Sequence, residues 1–232
     1  MKLKRLVAPR FWRTAKKSSK WIVSPRPGPH KKFESIPLQI IARDILKLVE
    51  TGKEAKTILK KGEILVDGKK RKDFAYPVGL MDVISIPTTK KYYIVMPSKY
   101  GIDLQEIPEK EAGKKLVRID GKKILRKGKV QLNFHDGKNI ITPKDAYKVG
   151  DSLILEVPSL KILEHVKLEK GNLALIAKGK NSGKIAKIKE IILSKSIVTN
   201  KVICMLDKAE VEVIKDYIFA VGETKPLIKI GE

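Results

Sequence analysis

Apolar residues recur along this chain at two spacings, and the spacing changes with position. Leu38, Ile41, Ala42, Ile45, Leu48 and Val49 fall at helical intervals and predict one apolar helix face, with Arg43 and Lys47 pointing elsewhere. Ser35 is expected to cap this helix, and Pro37 suits an early helical position. Gly52 breaks the run. A second helix is predicted over roughly 53–61, with Ala55, Ile58 and Leu59 toward a core and Gly62 as its stop. Lys53, Lys56 and Lys60 then share its other face, at i, i+3 and i+7.

The remaining apolar runs are short and bounded by turn residues, as strands are. Ile64, Leu65 and Val66 precede an Asp67-Gly68 turn, and a further strand is predicted over 82–86. From 90 to 168 the strand-like runs are 92–96, 115–119, 122–126, 129–134, 139–141 and 152–157. Asp120-Gly121 and Asp136-Gly137 are expected as hairpin turns. Beyond 170, strands are predicted at 173–177, 184–193, 196–200, 201–206, 210–214 and 217–221, a set that suits a small barrel of the SH3 kind. The fold class is therefore α+β, multidomain and mostly β. An arm over 1–34 precedes a small α/β module (35–89), a central antiparallel β domain (90–170) and an SH3-like barrel with its tail (171–232). A chain of 232 residues is long enough for two or three such domains.

Charge changes the picture most. The net charge is +24, and eleven of the cations lie in the first 33 residues, which hold no acidic side chain; the rest of the chain still carries +13. Interleaved with the arm's cations are Phe11, Trp12, Trp21 and Phe33. Such a segment has no internal counterions, so it calls for an external polyanion, and its aromatic faces suit bases or an RNA groove wall. The Pro-rich run at 25–30 favours extended backbone, and the arm is expected to be largely disordered without its partner. A membrane surface is the rival polyanion, but no long basic amphipathic helix is visible to favour it. One cysteine, Cys204, excludes an internal disulfide framework and a cysteine-based zinc cluster, and reads as a buried strand thiol. Leu6-Val7-Ala8 is too short for a signal-peptide core, and no apolar run approaches a membrane span, so an intracellular, soluble protein is expected.

Candidate chemistry is that of binding. The KGKNSGK run at 178–184 matches neither a P-loop nor the dinucleotide glycine pattern. It reads as a tight strand–strand loop whose glycines admit close backbone approach and whose lysines face phosphates. His30, His135 and His165 are far apart and lack metal-ligand spacing; no nucleophile is tied to the His135-Asp136 pair, so no catalytic group and no metal is assigned. Lysines at helical spacing are ordinarily a solvated face. Here they converge with a basic cluster and an acid-free arm, which favours RNA. The arm candidates are Lys4, Arg5, Arg10, Trp12, Arg13, Lys16, Lys17, Lys20, Arg26, His30 and Lys31. The module contributes Arg43, Lys47, Lys53, Lys56, Lys60, Lys69, Lys70, Arg71 and Lys72, and the loop Lys178, Lys180, Asn181 and Lys184. The tryptophans have two uses, stacking on RNA or docking on the protein's own body.

In this order the parts resemble one family, the small-subunit ribosomal protein S4e of archaea and eukaryotes. LKRLVAPRFW at 3–12 resembles its N-terminal signature, and SPRPGPHK at 24–31 its Pro-Gly-Pro-His stretch. Residues 48–86 resemble its S4-type RNA-binding domain, most specifically DGKKRKDFAYPVGLMDVISI, and GNLALIAKGKNSGKIAKI at 171–188 its KOW motif. YIFAVG at 217–222 followed by KPLI at 225–228 is also family-like. The family commonly carries Gly-Gly where this chain has Lys178-Gly179, and the chain ends at Glu232 as archaeal members do. The resemblance implies a non-enzymatic, cofactor-free constituent of the small ribosomal subunit in the cytoplasm. Its partners would be ribosomal RNA and neighbouring ribosomal proteins, with no membrane and no homo-oligomer. The rival classes are a KOW-bearing transcription factor and an accessory to RNA modification. RNA would be gripped mainly by its backbone, because few side chains favour bidentate base contacts.

Overall fold

A computed structural model describes residues 2–143, 145–194, 199–206 and 209–227. Contacts divide the chain into two compact units, Met1–Met96 with Tyr100–Gly113, and Pro97–Lys99 with Lys114–Glu232.

The first unit begins with the arm, and the arm is part of its core. Strand β1 (Lys2–Lys4) pairs antiparallel with β2 (Trp21–Val23). Between them the chain turns through two single-turn 3-10 helices, Arg5–Val7 and Arg10–Trp12. Ala8, Trp12 and Ile22 are buried in one cluster with Ile36, Leu38, Ile40 and Ile41. Trp12 has no exposed surface, and its indole Nε1 donates to the carbonyl of Ser35 at 2.9 Å. The expectation of a largely disordered arm is corrected here. Its aromatic and aliphatic side chains contribute enough apolar burial to fix the segment, and its cations other than Arg5 are left outside.

Strand β3 (Ile36–Pro37) then pairs with β6 (Pro77–Val78). Pro37 therefore lies before the helix, and the Ser35 hydroxyl donates to the Lys31 carbonyl instead of capping. Helix α1 (Leu38–Ile40) passes directly into a π-helical turn at Ile41–Ile45 and ends there, well before residue 49. Leu46 N reaches back to Ile41 O, and Lys47 takes the left-handed conformation (φ 50°) that closes the element. Helix α2 (Gly52–Lys61) opens on Gly52. Thr51 accepts from Glu54 N, and the Glu54 carboxylate accepts from Thr51 N, which satisfies two orphan donors reciprocally. The Thr51 bonds hold the exposed Glu54 carboxyl below its ordinary pKa. Gly62, at φ 77°, ends the helix as expected.

Strands β4 (Leu65–Val66) and β5 (Lys69–Lys70) form a hairpin around Asp67-Gly68, both at positive φ. With β7 (Val83–Ile86), β8 (Lys91–Ser98) and β9 (Gly101–Ile107) they make a sheet in the order β5-β4-β7-β8-β9. A chain division at 89/90 thus falls inside a sheet, since β7 pairs directly with β8. A short helix α3 (Glu109–Ala112) ends the unit.

The second unit holds two five-stranded antiparallel sheets. Strand β10 is one continuous strand, Lys114–Ile124. It pairs with β11 (Val130–Phe134) and β13 (Ser152–Glu156). Asp120-Gly121 is not a hairpin turn; the register shifts between Ile119 and Gly121, as in a bulge. Asp136-Gly137 does turn the chain, from β11 to β12 (Asn139–Thr142), and β14 (Ile162–Val166) completes the order β12-β11-β10-β13-β14. Val130, Leu132 and Phe134 face the core and alternate with half-buried Gln131 and Asn133. Lys115 and Asp136 are fully buried as an ion pair at 2.9 Å, with Lys138 at 3.2 Å from the same carboxylate. Burial pushes the Asp136 carboxyl up, but Lys115, His135 and Lys138 outweigh it and bring its pKa down to about 2.

The second sheet follows the order β18-β17-β16-β15-β19. Its strands are β15 (Leu173–Ile176), β16 (Ile185–Ile192), β17 (Lys201–Leu206), β18 (Ala209–Ile214) and β19 (Ile218–Gly222). It encloses Ala174, Ile176, Ala186, Ile188, Val202, Cys204 and Ala220. Cys204 is a buried strand thiol whose pKa burial raises to about 11. The strand expected at 196–200 falls largely outside the described residues.

Candidate nucleic-acid interface

In the first unit the basic residues sort by what their side chains already hold. Lys53, Lys56, Lys60 and also Lys61 are exposed on α2, while Ala55 and Leu59 are buried. Lys69, Lys70 and Lys72 are exposed too, and the aliphatic stem of Lys70 lies against Gly62. Lys70 therefore adjoins the C-terminal end of α2. Arg71 is half-buried, with its guanidinium 4.6 Å from the Tyr76 ring centroid. Lys4, Arg10, Arg13, Lys16, Lys17, Lys20, Arg26, Lys31 and Lys47 are exposed. Arg13 is paired with Asp103, and Arg26 with Asp73 at 3.2 Å. Arg43 is half-buried in a two-point pair with Asp44, at 3.2 and 2.7 Å.

Three arm candidates have buried side chains and do not lie on the open basic face. Trp12 is in the core. Arg5 is buried, held by Ser18 and Ser19. His30 has a side chain only 6% exposed, and its Nε2 lies 3.0 Å from Asp82 Oδ2, which also accepts from Gly79 N. The two most distinctive motifs of the chain explain that burial, because they pack on each other. Arg26 N donates to Ala75 O at 2.9 Å. A β-carbon on Gly28 would sit 2.6 Å from the Pro77 ring, and one on Gly79 would sit 2.2 Å from the His30 ring. The Pro-Gly-Pro-His stretch is thus a clasp on the YPVGLMD segment, and glycine at both contacts lets the surfaces close.

Sequence reasoning missed a cleft in this unit, of about 520 Å³. It lies between the β1–β2 hairpin and the two helices, lined among others by Lys2, Arg5, Trp21, Gln39, Arg43, Lys56 and Phe74. Trp21 is 45% exposed, and Lys56 Nζ sits 4.6 Å from the Phe74 ring centroid. No spacing rule could have found this group, because its members come from five separated stretches of chain.

In the second unit, the 178–184 loop joins β15 to β16. Lys180 and Lys184 are exposed, Lys178 and Asn181 half-buried, and Lys178 Nζ lies 5.7 Å over Tyr217. The loop's glycines were expected to let backbone approach a ligand closely, but three of its amides are already used. Ser182 N donates to Gly179 O, Gly183 N to Ile176 O and Lys184 N to Asn181 O. What this loop offers a ligand is mainly its lysines. Gly183, at φ 89°, would place a β-carbon 2.8 Å from the Pro97 carbonyl. His135 Nδ1 accepts from Arg118 N at 3.2 Å, and its ring meets Phe219 edge-on; His165 lies 2.8 Å from Asp151.

The chain as a whole has known relatives. Three family models match successive stretches: the RS4NT (NUC023) domain over residues 1–33, the S4 domain over 37–84 and Ribosomal family S4e over 88–162. The small ribosomal subunit protein eS4 of Archaeoglobus fulgidus is 42% identical over 98% of this chain and 97% of its own. That of Methanothermobacter thermautotrophicus is 41% identical, covering 98% and 95%. Among solved structures, the crystal structure of the 30S ribosomal protein S4e from Thermoplasma acidophilum superposes with a TM-score of 0.71 at 33% identity, over 82% of this chain and 96% of that one. With relatives this similar along nearly its whole length, and with the arm, module and central sheet each matched in order, the chain belongs to the ribosomal S4e family.

Proposed function

We propose that this protein is a structural constituent of the small ribosomal subunit that binds ribosomal RNA in the cytoplasm, with neighbouring ribosomal proteins on its remaining surfaces. One observation carries the RNA part: Lys53, Lys56 and Lys60 on α2, and Lys69 and Lys70 of the hairpin whose Lys70 stem lies against the end of α2, are all exposed. Such a face neutralises phosphates by position and releases counterions, without reading base edges. The exposed arm lysines and those of the 178–184 loop add to the same electrostatic grip. No helix among the described residues is long and apolar enough to cross a membrane.

Two measurements test the reading. Sucrose-gradient sedimentation should show the chain with small subunits through a moderate salt wash; migration at the top of the gradient would refute it. Binding to small-subunit ribosomal RNA should weaken steeply with salt. Replacing Lys53, Lys60 and Lys69 together by Gln should lower the log–log salt slope by about three, roughly one per phosphate contact, with thermal stability unchanged. An unchanged slope would remove this face from the interface.

A further inference from the structure

The cleft between the β1–β2 hairpin and the helices has a chemistry that phosphate neutralisation does not explain. Its cations not already paired with a carboxylate are Lys2, Arg5 and Lys56. Arg43 is neutralised by Asp44, and Glu50 is the other acid on the wall. A groove serving only the backbone would need nothing more than charge. This one also presents a half-exposed indole, Trp21, and the ring of Phe74. It is lined as well by Gln39, which is 4% exposed. The Gln39 amide Nε2 donates to Gly52 O at 3.4 Å, which fixes its orientation, and Oε1 is buried without a protein partner. Arg5 Nε, on the same cleft, is buried and unpartnered as well. Buried polar atoms without partners are uncommon, and two residues that carry one, Arg5 and Gln39, sit on the wall of this one cleft, where a small side-chain movement would present them to a polar ligand.

Resting on the RNA-binding reading above, we propose that this cleft takes one unstacked nucleotide of an RNA strand. Lys2 and Lys56 would meet its phosphates, Trp21 or Phe74 would stack on the base, and Gln39 Oε1 would accept an N–H from the base's Watson–Crick edge. Every base carries such an N–H on that edge, so the site tolerates sequence. In a duplex the edge is occupied by the pairing base, so the site demands an unpaired nucleotide. The volume suits one: about 520 Å³ lies within the span of small-ligand sites, roughly 300–1,000 Å³. Trp21 is well placed as the stacking face because it is exposed while Trp12 is sealed in the core.

The test uses the full chain with four probes: a single-stranded oligouridine, a blunt RNA duplex of the same length, inorganic polyphosphate of matched charge, and uridine monophosphate. Tryptophan emission is the readout, and a Trp21→Phe variant identifies the responding ring. The single strand should quench Trp21 saturably, while the duplex and polyphosphate should bind without quenching. Trp21→Ala should weaken single-strand binding about tenfold, the scale of one lost base stack. Gln39→Met should weaken it several-fold while leaving duplex binding unchanged. Equal quenching by polyphosphate would overturn the inference, as would single-strand affinity unchanged in both folded variants. So would saturation by the free monophosphate at the strand's affinity, which would assign the cleft to a free nucleotide. Steeply salt-dependent binding of ribosomal RNA without any Trp21 response would sink the cleft and leave the function standing. Failure to bind any RNA would sink the function itself.

Discussion

Trp12 tests whether the arm is a tether or a wall of the first unit. Its ring has no exposed surface, and its Nε1 donates to Ser35 O at 2.9 Å. Truncating a fully buried aromatic side chain to Ala costs about 3–5 kcal/mol. In a unit of about a hundred residues, where 1 kcal/mol moves the melting temperature by about 4 °C, Trp12→Ala should lower it by about 15 °C. Trp12→Phe keeps most of the apolar volume but leaves the Ser35 carbonyl without its donor, a loss of about 1–3 kcal/mol and about half that shift. Hydrogen exchange localises the damage. Amides of the paired β1 and β2 strands and of Leu38 and Gln39, which bond to Tyr76 and Phe74 carbonyls, should lose protection in Trp12→Ala. Deleting residues 1–33 should do more, since it strips Ala8, Trp12 and Ile22 from the cluster that covers Ile36 and Leu38. A body that melts within about 2 °C of the full chain after either change, with protection intact, would refute the reasoning. The arm would then be a solvated extension that only its charge makes useful.

The clasp between the motifs gives a second expectation. Gly79→Ala would set a methyl group 2.2 Å from the His30 ring, so the ring must leave Asp82; tryptic cleavage at Lys31 and Lys32 should accelerate, and unchanged cleavage would count against the clasp. The buried pair gives a third. The Asp136 pKa falls from 3.8 to about 2 on folding, so its contribution is present above about pH 4 and is lost as pH falls toward 2. The shift corresponds to about 2 kcal/mol of stability. Asp136→Asn should flatten that acid limb. At neutral pH it should destabilise by about 3–5 kcal/mol, because the fully buried Lys115 loses its carboxylate. Acid and neutral melting curves like those of the parent would refute both parts.

What was legible in the sequence was what depends on neighbours in the chain. Helix α2 is fixed by local chemistry, with Gly62 as its stop and its lysines three or four apart, and it stands where that spacing puts it. The alternation of Val130, Leu132 and Phe134 likewise marks the inward face of β11. Where a partner strand or loop decides, local signals misled. Asp120-Gly121 carries a strong hairpin signal, yet its flanks pair outward to β11 and β13, so the same two residues make a bulge in one long strand. The apolar face of the predicted helix ran on through Val49, but tertiary packing of a π turn and a left-handed Lys47 ended it at Ile45.

The arm shows why charge alone was an incomplete guide. Eleven cations and no acid among 33 residues leave the segment strongly positive, and most of those cations are indeed at the surface, with Arg13 and Arg26 paired to Asp103 and Asp73. Composition assigns no role to the residues between them. Trp12, Gly28 and His30 are held by Ser35, Pro77, Gly79 and Asp82, up to 52 positions away in sequence. A motif that is both basic and rich in Pro, Gly and aromatic residues can serve two surfaces at once, one facing phosphates and one facing the body. Most charged positions stay at the surface because burying them would cost their hydration; Ala8, Trp12 and Ile22 pack inward, in one cluster with Ile36, Leu38, Ile40 and Ile41. The same division explains the cleft. Trp21 lies on the hairpin that Trp12 anchors, so the exposed ring can be a rigid stacking face only because the buried one fixes the chain beneath it.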